Sequence, residues 1–385
     1  MEFFNFIKAQ NYQLIYLMTL MPFCLYYIVR FYPSRRQSIL DSKVAIPLPA
    51  LIFITVCIVF IGFRPTGDAA GFFGDSYMYQ HTYQNMTLDY NEVDTSKEWL
   101  WNNLMYFSVL VGFDVSVFFF FVAAVYFGCI YYVCQRLFPN NVLIACLFFL
   151  VSFSCYSYSV NGIRNGMGCH MLLVAITIAA TSKNKAQLAI AAFITFLAAG
   201  VHRSILLPAA ATVTSMYVVK DPKRAIQFWV LSIFISLVSG NAVGELFAGL
   251  GFDDRMSGYF EDQNDEETMS LFSAGGFRFD FLLYSAMPVV MTWYMTVKRN
   301  FRDRAFNIIA NTYILTNAFW VMVIRAAYSN RFAYLSWFIY PLVIVYPILR
   351  FRAWESQDQN SASIILAYAG FTYFMFFFYY GWTQF

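Results

Sequence analysis

Long apolar runs separated by short polar breaks dominate the chain. A bilayer crossing needs about 20 mostly apolar residues in a helix. On that measure the pattern predicts twelve spans: 12–29, 44–63, 115–135, 141–158, 166–181, 186–201, 203–219, 226–248, 279–297, 305–324, 332–349 and 362–382. A further run, 99–113, is shorter and carries Asn102 and Asn103. It reads as an amphipathic or re-entrant piece. Lipid admits only helices and closed barrels, and barrel strands alternate apolar with polar residues. These runs are continuous, so the expected fold is an all-α polytopic membrane protein with about 12 transmembrane helices (11–14) plus one short amphipathic or re-entrant helix. The runs are evenly spread, which predicts a single integral membrane domain over 1–385, with outer loops at 64–114 and 249–278. No repeat of fixed period and no low-complexity tract interrupts the pattern.

Composition sharpens this reading. Sixty per cent of the 385 residues are hydrophobic, 21% are aromatic and only 12% are charged, about half the charge of a soluble domain. That excludes a soluble enzyme, a disordered chain and a nucleic-acid-binding domain. The seven cysteines (Cys24, Cys57, Cys129, Cys134, Cys146, Cys155 and Cys169) all lie in apolar runs, are odd in number and form no Cys-x-x-Cys pair, which argues against a disulfide framework or a metal site. No basic segment followed by a small-residue cleavage site opens the sequence, so the first apolar run is expected to be an uncleaved span.

The net charge of +3 is less informative than its distribution. Basic residues favour cytoplasmic loops. If 99–113 does not cross and the N-terminus is outside, 16 of the 25 basic residues fall inside with five acids, leaving nine basic and 17 acidic residues outside. If 99–113 crosses, the basic loops Lys183–Lys185, Lys220–Arg224 and Lys298–Arg304 all land outside. The first arrangement is preferred, with both chain ends outside. Two polar stretches then face outward. One, 64–98, includes Arg64, Asp68, Asp75 and Glu98; the other, 249–278, includes an acidic run from Glu261 to Glu267. Each reads as a flexible lid or substrate-shaping segment, the plainer reading of the acidic run being a solvated loop.

Four of the outward arginines, Arg164, Arg203, Arg278 and Arg331, sit at or near the start of an inward-running span. A cation costs about 0.3–1 kcal/mol beside the positive end of a helix dipole. Something must compensate. An anion would, because free helix N–H groups and guanidinium forks together hold phosphate. The alternative is that these side chains snorkel to lipid headgroups or pair with outer carboxylates.

Four segments carry candidate chemistry. In Asn161-Gly162-Ile163-Arg164-Asn165-Gly166-Met167-Gly168, three glycines and two asparagines break the helix around an arginine, and glycine allows close backbone approach to a ligand. In His202-Arg203-Ser204, the histidine is either a packing residue or a general base at the outer mouth. In Gly74-Asp75-Ser76-Tyr77-Met78-Tyr79, a helix would put Asp75, Tyr79 and Tyr83 on one face, suited to sugar hydroxyls and sugar faces; the competing reading is an interfacial helix with tyrosines at headgroup level. The fourth is Arg325-x5-Arg331, with Asn330 and Tyr334 nearby. His81 and His170 read as structural. There is no Asp-x-Asp, no His-Glu-x-x-His and no P-loop, so the expected metal and cofactor complement is none. Arginines would then stabilise any departing pyrophosphate.

In order and spacing these motifs resemble the EpsG family of Wzy-type polysaccharide polymerases, from about Gly62 to Pro347. The resemblance rests on Gly62-Phe63-Arg64, Asp75-x-x-x-Tyr79, Tyr156-x-x-x-Val160-Asn161-Gly162-Ile163-Arg164, Val201-His202-x-Ser204 and Asn330-Arg331-Phe332. The chain departs from the family in having Asn165 where Gln is usual and Arg203 where a small residue is usual. The stretch between Arg64 and Asp75 is also longer, which makes Asp68 a rival for the Asp75 position. The resemblance implies a GT-C-like glycosyltransferase bundle in the bacterial cytoplasmic (inner) membrane, multi-pass, with its active side periplasmic. It implies polymerisation of an O-antigen, capsule or exopolysaccharide by transfer of a glycan chain from undecaprenyl pyrophosphate to a new lipid-linked repeat. The expected partners are that lipid-linked oligosaccharide, membrane lipid and a chain-length regulator, with no nucleic acid. Arg164 is expected in catalysis, with His202 as base and Asp75 as the alternative base. Arg64, Arg203, Arg278, Arg325, Arg331, Asn161, Tyr79 and Tyr334 are expected to bind substrate. The other functions considered are a flippase or transporter for the same lipid-linked sugar and an O-antigen ligase. Transporters place their polar sites near the midplane in repeated halves, unlike this chain.

Overall fold

A computed structural model describes residues 4, 6–32, 48–88, 98–239, 242, 277–325 and 329–379. The described residues are helical and contain no strand. In chain order the principal helices are α1 (Tyr12–Phe31), α2 (Leu48–Gly62), α3 (Ser76–Leu88), α4 (Trp99–Leu110), α5 (Val115–Leu137), α6 (Val142–Leu150), α7 (Cys155–Val160) and α8 (Ile163–Ala180). They continue with α9 (Lys185–Val201), α10 (Leu206–Tyr217), α11 (Pro222–Ser239), α12 (Phe279–Trp293), α13 (Arg304–Met322), α14 (Ser329–Trp337), α15 (Tyr340–Arg350) and α16 (Gln357–Phe374).

Five described segments are long and apolar enough to cross a membrane: Ala9–Phe31, Val115–Leu137, Ile163–Ala180, Arg331–Arg350 and Gln357–Phe378. A sixth is added if α2 and the 3-10 turn Gly67–Phe73, bent by 120°, count as one. These apolar helices fit a multi-pass membrane protein. The difference from the twelve expected spans has visible causes. The run 141–158 is cut by the turn at 151–154 into α6 and α7. The turn is closed by backbone bonds from Ser152 N to Phe149 O and from Cys155 N to Ser152 O. Helices α9 and α10 have 17 and 12 residues, and residues 44–47 lie outside the described set. Helix α4 has 12 residues, a length of about 18 Å at 1.5 Å per residue, in keeping with a short non-crossing piece. The loop 249–276, with its acidic run, also lies outside the described residues.

The chain divides into two compact units. The first comprises Met1–Ala175, Ala191–His202 and Ile348–Phe385; the second comprises Ile176–Ile190 and Arg203–Pro347. In the first, α5 begins where Asp114 accepts from Ser116 N, which satisfies one of the helix's orphan N–H groups. Trp101, Met105 and Val109 of α4 pack with Phe118, Phe119 and Val122 of α5 and with Ile163 and Met167 of α8 in one buried cluster. Tyr16 Oη donates to Leu150 O at 2.8 Å and Tyr373 Oη to Leu17 O at 2.7 Å, which ties α1 to α6 and α16. Leu25, Val29, Ile52 and Val56 stay exposed, as lipid-facing positions of α1 and α2 should.

The second unit is built around α13, capped by Asp303 accepting from Phe306 N. Several of its buried polar side chains find partners. Asn317 Oδ1 accepts from Trp229 Nε1 at 2.7 Å, and its Nδ2 donates to Ser336 Oγ at 2.9 Å. Tyr313 Oη donates to Ser285 O at 2.8 Å.

Candidate active site

The site begins with a clasp. Arg64, just past α2, is only 2% exposed. It donates to Ile61 O at 3.0 Å and to Ser76 Oγ at 2.6 Å, and lies 4.2 Å from the Phe119 ring centroid. Ser76 Oγ donates in turn to Val160 O, at the end of α7. Asn161 Oδ1 accepts from Asp75 N at 2.8 Å. Gly74 has φ +59°, and a Cβ there would meet the Asn161 side chain at 2.5 Å; glycine meets both demands. Two segments singled out in the sequence, 74–79 and 161–168, are thus joined. Arg64 was expected to bind substrate. Both of its terminal nitrogens donate within the protein, to Ile61 O and Ser76 Oγ.

Beyond the clasp stands Arg164, in the first turn of α8. Its guanidinium lies 5.8 Å from the Tyr79 ring centroid, within cation–π range. Tyr79 itself packs on Trp101 at 5.1 Å. Tyr83, one turn further along α3, is buried and donates to Phe113 O at 2.9 Å. Burial, reinforced by the Asp114 charge, pushes its phenol up to about 12, which makes it a structural hydroxyl at neutral pH.

Arg164 Nη1 forms an ion pair with Glu98 Oε2, and the other carboxylate oxygen, Oε1, lies 2.7 Å from His202 Nδ1. The three side chains are 13–17% exposed. A carboxylate only accepts, so Nδ1 carries the proton it donates. In the neutral imidazole this leaves the Nε2 lone pair as the acceptor. Glu98 precedes α4 but caps nothing: it has φ 50° and ψ 44° and no side-chain bond to the helix N–H groups. A left-handed backbone at a non-glycine residue costs about 1–2 kcal/mol, and here it accompanies a carboxylate aimed at Arg164 and His202. Gly200 completes the approach. A Cβ at Gly200 would come within 2.7 Å of the Trp99 ring, so glycine lets the end of α9 lie close against the start of α4 with that ring in place, beside the contact of His202 with Glu98.

The sequence singled out Arg164, His202, Asn161, Asp75 and Tyr79, and these lie in the first unit, in the contacts just described. It did not single out Glu98, the residue that joins the arginine to the histidine. Its one visible sign in the sequence was a carboxylate directly ahead of the Trp99 helix.

The remaining candidates lie in the second unit. Arg203, exposed, opens the 3-10 turn Arg203–Ile205. Arg278 precedes α12 and grips Asp280 with Nε at 2.9 Å and Nη2 at 2.6 Å. It also covers the Phe281 ring at 3.9 Å. Arg325 lies 5.6 Å from the Phe277 ring centroid. Arg331 is half-buried and Tyr334 is buried at 1% exposure; the Asn330 side chain lies outside the described residues. Two of the cations at helix starts have carboxylate partners, Glu98 at Arg164 and Asp280 at Arg278. Among the described residues, no group of three or more His, Cys, Asp and Glu side chains could hold a metal ion.

Apolar helices of spanning length fit a multi-pass helical membrane protein, and in its first unit a shielded Glu–Arg–His cluster forms where helix ends meet. The family model covers most of the chain, residues 48–385, and takes in the whole of this cluster. The chain belongs to the EpsG family, the family of Wzy-type polysaccharide polymerase-like proteins. No curated protein and no solved structure matches it.

Proposed function

We propose that the protein is a glycosyltransferase that polymerises lipid-linked oligosaccharide repeats at the periplasmic face of the bacterial cytoplasmic membrane. The observation that carries this reading is the hydrogen bond between His202 Nδ1 and Glu98 Oε1 at 2.7 Å, with Arg164 on the second carboxylate oxygen. It supplies an oriented base beside a cation, as the reaction requires. The acceptor sugar hydroxyl gives its proton to His202 Nε2 as its oxygen bonds to the donor's anomeric carbon. The bond from that carbon to the undecaprenyl pyrophosphate oxygen breaks, and its electron pair leaves with the diphosphate. Arg164 stabilises the charge that grows there. The imidazolium then releases its proton to solvent.

Tyr79 offers an aromatic face to a sugar ring. Asp75 is the rival base, and a variant series at Asp75 and His202 decides between them. Arg203, Arg278, Arg325, Arg331 and Tyr334 are proposed as further substrate ligands, each to be tested singly. Arg64 and Asn161 are proposed to act through the clasp.

The test is purified protein in lipid nanodiscs, given synthetic undecaprenyl-pyrophosphate repeat without added metal. A ladder of products rising by one repeat is expected. Transfer of a single chain would favour a ligase, and movement of the repeat across the bilayer without coupling would favour a transporter.

A further inference from the structure

Glu98 does two things at once. Oε1 holds His202 Nδ1 and Oε2 occupies Arg164 Nη1. The arginine is therefore already neutralised by its own protein. Its Nε is buried and has no hydrogen-bond partner among the described residues, so the guanidinium fork is only part-used. Glu98 cannot be explained as a helix cap, because it makes no capping bond. Its left-handed backbone, φ 50°, goes instead with a carboxylate placed between a cation and an imidazole.

We propose that Glu98 is an anion gate. At rest its carboxylate blocks Arg164. Because Nε is buried, a ligand with adjacent anionic oxygens, of the diphosphate class, takes the guanidinium end-on through both terminal nitrogens, and to do so it must displace Oε2 from Nη1. Once displaced from Arg164, the carboxylate keeps its contact with His202, and its charge, no longer shared with the guanidinium, favours the imidazolium that forms when the base takes a proton. Arrival of the diphosphate and readiness of the base are thereby coupled, and the coupling is reciprocal. A neutral sugar without the diphosphate leaves Glu98 on Arg164 and the base unprimed. Hydrolysis or transfer without the lipid carrier is suppressed by the same contact. The gate rests on the proposed function for the identity of the carrier and for the role of His202; the anion competition itself does not depend on either.

The experiment measures inorganic pyrophosphate binding to the full chain by calorimetry, in nanodiscs of phosphatidylcholine alone so that anionic headgroups do not compete. Glu98→Gln is expected to bind pyrophosphate about tenfold more tightly than wild type, the order expected when one opposed charge is removed from a partly screened pair. The same variant is expected to elongate more slowly, because His202 loses its carboxylate. Tighter binding with slower turnover is a split that general loosening of the site would not produce. The double variant Glu98→Gln/Arg164→Gln is expected to lose the gain, which would show that it passes through the arginine. Unchanged or weaker pyrophosphate binding by folded Glu98→Gln overturns the gate, as does a gain that survives removal of Arg164. If Glu98→Gln is not recovered as monodisperse protein, Glu98→Asp carries the test: its shorter arm cannot span both partners, so binding should still tighten, and no gain overturns the gate. A wild-type ladder without the affinity shift refutes the gate alone; the affinity shift without any ladder refutes the polymerase reading alone.

Discussion

Arg164 and Arg278 both stand at the start of a helix and both hold a carboxylate, but they are built differently. The partner of Arg278 is two residues away on the same helix, and the pair is 22% and 33% exposed. The partner of Arg164 comes from a distant segment, and that pair is 13% and 17% exposed. A local pair of this kind survives wherever its helix forms and is screened by solvent, so it contributes little to stability. A distant, shielded pair exists only when the tertiary fold is complete, and its electrostatics are stronger in the lower dielectric. The same carboxylate also holds His202, so one fold-dependent side chain positions both the arginine and the histidine. The lesson is that an arginine's position in the sequence does not reveal its task; the origin of its partner does.

The sharpest break of this contrast is at the centre itself. Arg164→Lys keeps the charge but loses the planar fork. It should abolish long polymer while the protein still inserts, as read on a glycan gel beside a membrane-fraction blot; wild-type chain length would remove Arg164 from the mechanism. Next comes His202→Gln, expected to slow elongation by about 10²–10⁴-fold, the usual contribution of a positioned base, measured as the initial ladder rate. A smaller effect at His202 than at Asp75 would transfer the base role to Asp75.

The surrounding fold should respond less steeply. Gly200→Ala forces a methyl group against the Trp99 ring and should cost about 1–3 kcal/mol. It should also separate His202 from Glu98, so thermal stability and elongation rate fall together; a fall in stability alone would show that the approach of α9 to α4 does not position the base. Ser76→Ala removes the link between Arg64 and Val160 O and leaves buried polar groups unmatched, at about 1–3 kcal/mol, measured by the shift in detergent unfolding. The smallest effect is expected at Asp280→Asn. Breaking this exposed local pair should change stability by no more than about 1 kcal/mol. A loss as large as that at Ser76 would erase the difference between the two units' arginines.

Much of this was legible in the sequence. Apolar runs predicted an all-helical membrane protein, and the shortness of the run 99–113 matches the 12 residues of α4. The motifs around Arg164, His202 and Asp75–Tyr79 pointed to residues that do meet in the first unit. Hydropathy could not show where an apolar run breaks. Residues 151–154 carry two serines, but so does the adjoining stretch 155–160, which is helical. The role of Glu98 was hidden for a related reason. It stood among several carboxylates of a polar segment, and its contact with His202 forms beside the close approach at Gly200. The contacts of Arg64 were hidden as well: nothing in the sequence showed its burial or its bonds to Ile61 and Ser76.

The central claim is that Glu98 and His202 act as one unit, and a double-mutant cycle on elongation rate tests it most directly. Glu98→Gln, His202→Gln and the double variant are compared with wild type on the synthetic lipid-linked repeat. The account predicts that the double variant is no slower than the slower single variant, as for residues that work through each other. Losses that multiply independently would contradict it.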